Sequence, residues 1–492
     1  MVGYLVPPPA THRLSGTCTP SLFRLCHSPA TDCIRVGESS VPTAVVIKAK
    51  TKSNRRSDQG PLATEFGRSR ALRIVAVIAI VAVAGWIIAG LFAPGPRYSL
   101  TSRPAVPAES EAFLDQLAPL ANSAITRNNR IEPLPNGEQF YKAEFAAIER
   151  AQHNIDLEAY IFHKGKVTQR LLQILTERAR AGVQVRLTLD SLGSVSTPKS
   201  YFNDLRHAGG RVEWYHALRW DNWFMSNNRT HREMTIIDGA TAFVGGAGYA
   251  DWWRYPTKHD PSWRDTVFRV EGDAVRRLQG VFVENWLESS GDVLNGEQYF
   301  PATLPNAGKT PALVIASTPS SGGSTRSRIL FQMLIAGASK SIDITTPYFV
   351  PDSSMRQEIV RARHRGVQVR ILVPGKHTDH YLTRSTGRRV FGELLKSGAK
   401  IYEYQSSMIH AKIMVVDGAW IVFGSTNLDN RSFGINDEVN VAALDSELGA
   451  VVTHQFDEDL AHSDEITFQH WSNRSPWERL LEWLGDIIAR QQ

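Results

Sequence analysis

Two residues near the end of the chain, His410 and Lys412, have types and spacing suited to phosphoryl chemistry. They are two positions apart, so on a β-strand both side chains project from the same face. An imidazole can attack phosphorus or protonate a leaving alcohol, and an ammonium group can hold phosphate oxygens. Ser425 and Asn427 follow the next apolar run and can donate further hydrogen bonds to such oxygens. We therefore predict a phosphate-binding catalytic site on this segment.

A second histidine, His231, stands in a matching context in the first part of the chain. Each histidine precedes an apolar run that ends in Asp-Gly, with Asp238 after His231 and Asp417 after His410. Asp-Gly favours a hairpin turn, so the simplest role of both aspartates is to shape that turn, although they also count as candidate catalytic residues of the motif.

Segments upstream of the two histidines repeat in the same order. NIDLEAYIF (154–162) matches SIDITTPYFV (341–350), RARAGVQVRLTL (178–189) matches RARHRGVQVRILV (361–373), and YFNDLRHAGGRVEWY (201–215) matches VFGELLKSGAKIYEY (390–404). Strands that alternate with helices predict an α/β fold. We interpret the chain as two homologous halves, residues 128–305 and 306–470, with mixed sheets flanked by helices.

The pattern H-x-K-x4-D followed by G-S-x-N resembles the phospholipase D superfamily. TPYFVPD (346–352), GSTNLDNRSFGINDEVN (424–440) and WRDTVFRVEG (263–272) are similar to bacterial cardiolipin synthases within it, and the likeness extends over about residues 128–470. The resemblance implies that one histidine attacks a phosphodiester to form a phosphohistidine. The other histidine would protonate the leaving alcohol and then activate the incoming one.

The resemblance assigns His231 as the nucleophile and His410 as the acid and base. It also implies that Glu438 and Asp265, which occupy matching places downstream, orient the imidazoles. No metal or organic cofactor is expected. The expected substrate is a phospholipid such as phosphatidylglycerol, and the expected product is cardiolipin. Alternatives are a phospholipase D that uses water, a nuclease of the same superfamily, and a catalytically weak membrane scaffold.

The first half departs from the pattern at two positions. Glu233 stands where Lys412 stands in the second half, and Gly248 stands where Asn427 does. A carboxylate at this place would repel a phosphate. Three interpretations remain open: Glu233 pairs with Arg229 or Arg232, it recognises a hydroxyl-rich acceptor such as glycerol, or the first half is degenerate.

The basic excess of the chain lies in its first residues. The net charge is +6, while residues 1–73 hold eleven Lys and Arg and four acids, so the remainder is nearly neutral. A nucleic-acid enzyme usually carries its positive charge on the working domain, so this distribution disfavours nucleic acid as a partner. All three cysteines, Cys18, Cys26 and Cys33, lie in the same stretch without metal-ligand spacing.

A run without charge or proline, IVAVIAIVAVAGWIIAGLFA (74–93), is long enough to span a bilayer. We therefore predict a disordered cytoplasmic tail over residues 1–70, a transmembrane anchor over 71–93 and a linker with a short helix over 94–127. Arginines before the anchor outnumber those after it, which predicts a catalytic body on the outer side of the cell membrane.

Aromatic residues cluster near the first histidine, and the chain ends in an amphipathic segment. Trp252, Trp253 and Trp263, with Trp220, Trp223 and Phe224, would form either an apolar mouth for acyl chains or ordinary core. Residues 471–492 contain a capping box, from Ser475 to Glu478, which predicts the start of a helix. In the helix that follows, apolar residues such as Trp477 and Leu480 fall on one face. We expect this helix to pack on the body, with a bilayer surface as the alternative.

Overall fold

The computed structural model describes residues 62–92, 97–217, 227–258, 260–304, 306–318 and 326–488. The chain divides into two units with their boundary between Ala79 and Ile80. The predicted tail up to residue 61, with its cysteines, and the aromatic residues at 220, 223 and 224 lie outside the described residues.

The helices and strands are numbered in chain order. The helices are α1 Leu62–Phe92, α2 Glu111–Leu120, α3 Asn136–Glu149, α4 Lys166–Arg180, α5 Asn203–His207, α6 Asp273–Ser290, α7 Arg326–Gly337, α8 Ser353–His364, α9 Tyr381–Lys396, α10 Asn430–Gly434, α11 Ser446–Leu460, α12 Phe468–Ser472 and α13 Pro476–Ile488. The strands are β1 Thr126–Pro135, β2 Asn154–Ala159, β3 Gln184–Asp190, β4 Arg211–Tyr215, β5 Met234–Ile237, β6 Thr241–Gly245, β7 Thr266–Glu271, β8 Thr310–Ser317, β9 Ser341–Thr345, β10 Gln368–Pro374, β11 Lys400–Tyr404, β12 Ile413–Val416, β13 Trp420–Gly424, β14 Glu438–Leu444 and β15 Ser463–Ile466.

The strands form one mixed sheet in the order β15-β11-β10-β9-β12-β13-β14-β8-β1-β7-β6-β5-β2-β3-β4. The parallel pairs are β2·β3, β3·β4, β9·β10 and β10·β11, and the two halves join where β1 pairs antiparallel with β8. The α/β class with flanking helices is thus as predicted. The expectation of separate sheets is wrong, because the first strand of each half pairs with its counterpart and makes the two sheets continuous.

The duplication is longer than the matching sequence blocks indicate. The strand pairs β1 with β8 and β7 with β14 occupy equivalent places in the two halves of the sheet. The helix pairs α3 with α7 and α6 with α11 occupy equivalent places in the order of elements along the chain. An ion pair repeats as well: Arg186 contacts Asp156 at 3.2 Å, and Arg370 contacts Asp343 at 2.7 Å. Both arginines lie on a parallel strand next to the strand that carries the aspartate.

The central strands are buried on both faces because helices cover both faces of the sheet. The side chains of β13, from Trp420 to Gly424, are all buried. The same continuous burial holds for β2 and β5. This arrangement explains why β5 and β13 read as apolar runs rather than as alternating patterns. Strand β2 differs, because its sequence alternates and its polar side chains, Asn154, Asp156 and Glu158, are buried as well.

The described part of the segment predicted as a linker, residues 97–127, packs on the body instead. Phe113, Leu114 and Leu117 of α2 are fully buried in the hydrophobic core of the second half. The indole nitrogen of Trp420 donates to the carbonyl of Ala108 at 2.6 Å. The sequence hides this role because α2 is short, and its apolar face packs on a core that is formed some 200 residues later.

The transmembrane anchor predicted over residues 71–93 is not seen among the described residues. The helix in this region, α1, begins at Leu62 and takes in Arg68, Arg70 and Arg73 before the apolar run. None of the helices in the described part of the chain has the length and apolarity needed to cross a membrane. The orientation inferred from the flanking arginines therefore stays a prediction.

The C-terminal segment folds as two helices, α12 and α13, and its capping box is present. The amide of Glu478 donates to Ser475 Oγ at 3.2 Å, and the amide of Ser475 donates back to Glu478 at 2.8 Å. Helix α13 packs on α9, where Gly485 lies against Thr386. This is the packing that we expected. However, Trp477 and Leu480 of the predicted buried face are exposed.

Candidate active site

Each of the two histidines is fixed to the opposite half of the molecule by its own backbone. The amide of His231 donates to the carbonyl of Asp437 at 2.9 Å, and the amide of His410 donates to the carbonyl of Arg264 at 2.8 Å. Isolated bridges, Thr230 with Asp437 and Arg264 with Ile409, strengthen both crossings. The segments that lead into β5 and β12 therefore meet at the interface of the halves.

The imidazoles are held across the same interface by carboxylates. His231 Nδ1 lies 3.1 Å from both carboxylate oxygens of Glu438, and His410 Nδ1 lies 3.2 Å from Asp265 Oδ2. In each case the carboxylate residue directly follows the residue whose carbonyl binds the backbone of that histidine. A carboxylate on Nδ1 fixes the imidazole tautomer and leaves Nε2 for chemistry.

Both carboxylates are oriented by further donors. The indole nitrogen of Trp253 donates to Asp265 Oδ2 at 3.1 Å, and the hydroxyl of Ser425 donates to Glu438 Oε2 in a short hydrogen bond. Ser425 is fully buried, and its oxygen also accepts the amide of Val439 at 3.0 Å. The prediction that Ser425 binds phosphate is therefore wrong, because its hydroxyl hydrogen is committed to Glu438.

Lys412 lies against His410, as the spacing predicts, although both residues precede β12 rather than lie in it. Its ammonium nitrogen is 2.9 Å from the carbonyl of His410 and 3.0 Å from His410 Nδ1. Burial lowers the pKa of Lys412 to about 8. Burial, and next the charge of Lys412, lower the pKa of His410 below its ordinary value. Both effects favour the neutral form of His410 in the free protein.

We expect the rate of turnover to fall as the pH rises through about 8, because Lys412, whose pKa is about 8, then loses the charge that attracts a phosphate. The Lys412→Arg variant keeps a positive charge at every accessible pH. The fall of its kcat/KM on the alkaline side should therefore begin at a higher pH, although its maximal rate is lower. The pH dependence of kcat/KM for the two proteins tests this expectation. Identical alkaline limbs would show that another group controls them.

Glu233 is buried beside these residues, and neither of the neighbouring arginines pairs with it. Arg229 contacts Asp190 at 3.6 Å, and Arg232 donates to Glu284 at 3.0 Å. Within the described part of the chain, no ion pair forms with Glu233, and its Oε2 lacks any hydrogen-bond partner. The interpretation that Glu233 pairs with a neighbouring arginine is therefore wrong.

Asp238 and Asp417 lie at the far ends of β5 and β12 from the histidines. A strand of four residues, about 13 Å long, separates each aspartate from the site. Asp238 accepts the amides of residues 152, 153 and 154 at 2.9, 2.7 and 3.0 Å. Asp417 likewise accepts those of residues 339, 340 and 341. Both have positive φ angles, so they shape the turns and do not reach the imidazoles.

The Asp417→Asn variant should lower the free energy of unfolding by about 1–3 kcal/mol, because an amide nitrogen replaces one of two oxygens that together accept three backbone amides. Asparagine tolerates the positive φ, so the turn itself is kept. Denaturant or thermal unfolding measures the loss, and kcat per folded molecule should stay close to that of the wild type. A large drop in kcat without loss of stability would instead place Asp417 in the chemistry.

Aromatic side chains surround the histidines. Tyr160 packs edge-on against His231 with ring centres 5.3 Å apart, and Trp253 and Trp263 pack on His410 at 5.6 and 5.4 Å. No motif points to Tyr160, and its position directly after the buried strand β2 is the sequence signal for it. Trp253 belongs to the core, since it is fully buried, and its indole also donates to Asp265.

A cleft of about 340 Å³ opens beside His410. Its walls combine indole and phenol rings with charged loop residues, and they include Trp252, Trp263, Lys376 and Asp379. Asn427, which we predict to bind phosphate, is buried, and its side-chain oxygen has no partner. In the described ranges, no group of three or more His, Cys, Asp or Glu side chains is arranged to hold a metal ion.

Comparison with known proteins agrees with this geometry. The family model described as cardiolipin synthase, PLD-like domain, matches residues 145–253 and 331–460, one segment in each half. A cardiolipin synthase of Halalkalibacterium halodurans is 34% identical over 74% of this chain and 72% of its own length. A probable cardiolipin synthase of Bacillus subtilis is 33% identical over 77% of this chain and 75% of its own length.

The fold is also similar to a crystal structure. Phosphatidylserine synthase of Haemophilus influenzae superimposes with a TM-score of 0.59, over 77% of this chain and 99% of its own, at 16% identity. That likeness concerns the fold alone. The identity to the curated relatives, together with two matched domains whose histidines meet at one interface, shows that the chain belongs to the cardiolipin synthase family of phospholipase D-like enzymes.

Proposed function

We propose that this protein transfers a phosphatidyl group from one phosphatidylglycerol to a second one, which yields cardiolipin and glycerol. The observation that carries the proposal is the crossed pair of imidazoles, each held at Nδ1 by a carboxylate of the other half. Two such imidazoles suit a double displacement at one phosphorus, in which each group is used twice. The names of the curated relatives support the choice of lipid.

In the first step, Nε2 of His231 attacks the phosphorus and forms a P–N bond, while the P–O bond to the glycerol head group breaks. His410 gives its Nε2 proton to the departing glycerol oxygen. In the second step, His410 takes the proton from a hydroxyl of another phosphatidylglycerol, whose oxygen attacks the phosphorus as the P–N bond breaks. The two carboxylates stabilise the imidazolium forms, and no cofactor takes part.

The proposed role of His410 requires that it gains a proton when substrate binds. Burial favours its neutral form in the free protein, whereas the negative charge of a phosphodiester beside it favours the imidazolium form. Substrate binding should therefore be accompanied by uptake of a proton. The assignment of His231 as the nucleophile rests on the family resemblance, and its greater side-chain exposure, 13% against 5% for His410, is consistent with attack on an incoming lipid.

The nature of the acceptor decides between the proposed transfer and hydrolysis. Purified protein should be incubated with phosphatidylglycerol vesicles, and the lipid and water-soluble products measured by ³¹P NMR and a glycerol assay. We expect cardiolipin and glycerol in equal amounts, with neither formed by His410→Ala. Phosphatidic acid instead of cardiolipin would identify a hydrolase. The absence of both lipids would contradict the lipid-enzyme proposal, and cleavage of DNA in a parallel assay would favour a nuclease.

A further inference from the structure

In the first half of the site, two backbone amides bind the carboxyl group of Glu233. The amides of Tyr160 and Ile161 both donate to Glu233 Oε1 at 3.1 Å. In the matching sequence block of the second half, the counterpart of Tyr160 is Pro347, which has no amide hydrogen to donate. The first half therefore has a pair of donors aimed at a carboxyl oxygen, whereas the second half, with Lys412 at the equivalent position, lacks one of them.

Gly248 leaves the space that the carboxyl group of Glu233 and the backbone of Ile161 need. A Cβ atom at Gly248 would lie 2.9 Å from Glu233 Oε1 and 2.5 Å from the carbonyl oxygen of Ile161. Any larger residue would therefore displace either the carboxyl group or the backbone that binds it. The equivalent residue of the second half is Asn427. The two departures of the first half from the family pattern are thus one coupled change, which is not what random decay would produce.

The carboxyl group lies beside the catalytic residues. The segment from Gly246 to Gly248 separates it from Lys412, since a Cβ at Gly246 would be 2.9 Å from the ammonium nitrogen of Lys412. Tyr160, whose amide binds Glu233, packs its ring on His231. Glu233 is 5% exposed, and its Oε2 is buried without a partner. An unpartnered buried polar atom is unusual in a folded protein, and a hydrogen bond to a bound ligand would satisfy it.

We infer that Glu233 is the phosphoryl-binding group of the first half, and that its carboxyl group donates a hydrogen bond from Oε2 to a non-bridging oxygen of the substrate, on the opposite side from Lys412. This inference rests on the proposal that the site binds a phosphodiester. Oε1 is occupied by the two backbone donors, so the proton resides on Oε2. A neutral carboxyl group is a donor, whereas a carboxylate could only accept and would repel the phosphate.

The surroundings of Glu233 favour the protonated form. Burial raises its pKa well above the ordinary value, against the effects of the two amides and of Lys412, and the charge of Asp265 acts in the same direction as burial. The phenol groups of Tyr141 and Tyr249 are also close enough to be affected by its charge. Tyr249 is itself bonded to Glu144, a second buried carboxyl group whose pKa is raised to about 7 by burial.

Infrared difference spectroscopy tests the inference without any need for turnover. The spectrum of wild type minus Glu233→Gln at pH 7 should contain the C=O stretch of a protonated carboxyl group. Addition of orthovanadate, as a probe for the phosphoryl group, should shift this band to lower frequency because Oε2–H then donates to the anion. Glu144→Gln is the matched control, and its band should not respond to vanadate. The absence of a protonated band, or a band that vanadate does not move, would overturn the inference.

Equilibrium binding of orthovanadate, measured by calorimetry, gives a second readout. The Glu233→Gln variant keeps both an acceptor for the two amides and a donor for the ligand, so it should bind within a few-fold of wild type. We expect a loss of about 10- to 100-fold for Glu233→Ala, the range for one hydrogen bond to a charged group. Glu233→Lys should also lose affinity, because its ammonium faces two backbone donors. A gain in affinity with lysine would contradict the inference.

The two measurements separate this inference from the proposed function. If the wild type forms no cardiolipin from phosphatidylglycerol, yet Glu233 carries a proton that responds to vanadate, the lipid assignment fails and the role of Glu233 stands. If cardiolipin forms and the carboxyl band is missing or unresponsive, the function stands and the role of Glu233 fails.

Discussion

Replacement of His231 or of His410 by alanine is expected to abolish cardiolipin formation, with a fall in kcat of at least about 10⁴-fold for either variant. The reason is that neither imidazole can substitute for the other: each is fixed by a backbone hydrogen bond and a carboxylate of the opposite half. Loss of the nucleophile removes the covalent route, and loss of the acid leaves an alkoxide as the leaving group.

The measurement is the initial rate of cardiolipin formation in phosphatidylglycerol vesicles, with folding checked by thermal unfolding. His454→Ala is the matched control, because the side chain of His454 is 77% exposed on α11 and should not affect the rate. The double variant His231→Ala/His410→Ala should be no slower than either single variant, since the two groups act as one unit. Either single variant with more than a tenth of the wild-type rate would contradict the proposed mechanism.

Asp265→Asn and Glu438→Gln should each lower kcat by about 10²- to 10⁴-fold, because an amide at this position no longer stabilises the imidazolium form. The crossed pairing makes a sharper prediction about which imidazole responds. The hydrogen bond that His410 donates to Asp265 raises the pKa of His410, against the larger effects of burial and Lys412. Asp265→Asn should therefore lower the pKa of His410 further and leave the resonances of His231 in place.

Imidazole ¹⁵N NMR across a pH series follows the resonances of His231 and His410 together in one sample of each variant. Glu438→Gln should change the ring resonances of His231 and leave those of His410 nearly unaffected. Asp464→Asn on the exposed edge strand is a suitable control for the removal of a carboxylate. If Asp265→Asn were to change His231 instead, the carboxylates would serve the histidines of their own halves, and the crossed arrangement would be wrong in solution.

The sequence was sufficient for the elements that depend on local pattern. The duplication, the hairpins at Asp238 and Asp417, and the pair of His410 with Lys412 follow from residue spacing and from turn chemistry. Within each repeated block, each hairpin and the histidine–lysine pair, the residues that carry the pattern are close in sequence. The capping box before α13 is a further example, because its hydrogen bonds join residues three positions apart.

The features that sequence reasoning missed depend on contacts between distant segments. Nothing in the sequence shows which carboxylate meets which histidine, since Glu438 and His231 are 207 positions apart. The continuous sheet arises from one antiparallel contact, β1 with β8, which carries no motif. The burial of α2 in the second-half core has the same origin. The role of Ser425 was misjudged because a phosphate and a buried carboxylate are equally good acceptors for its hydroxyl group.

Glu233 shows how a comparison of the two halves adds to motif reading. From the motif alone, a glutamate in place of lysine has three interpretations of equal standing. The structure excludes an arginine pair and places two backbone donors on Oε1. Once those donors are known, Tyr160 in place of proline and Gly248 in place of asparagine become related features. The sequence contained both differences, but only their contacts with one carboxyl group connect them.

Two unequal halves make a single site with one nucleophile in the proposed mechanism. Detection of the phosphohistidine tests this most directly. The His410→Gln variant should be mixed with a phosphatidyl ester of 4-nitrophenol, a leaving group that needs no proton, then quenched in alkali and mapped by mass spectrometry. We predict one phosphatidyl group per chain, attached to His231, which persists because the base for the second step is missing. Two groups per chain, a group on any other residue, or no covalent adduct at all would contradict the claim.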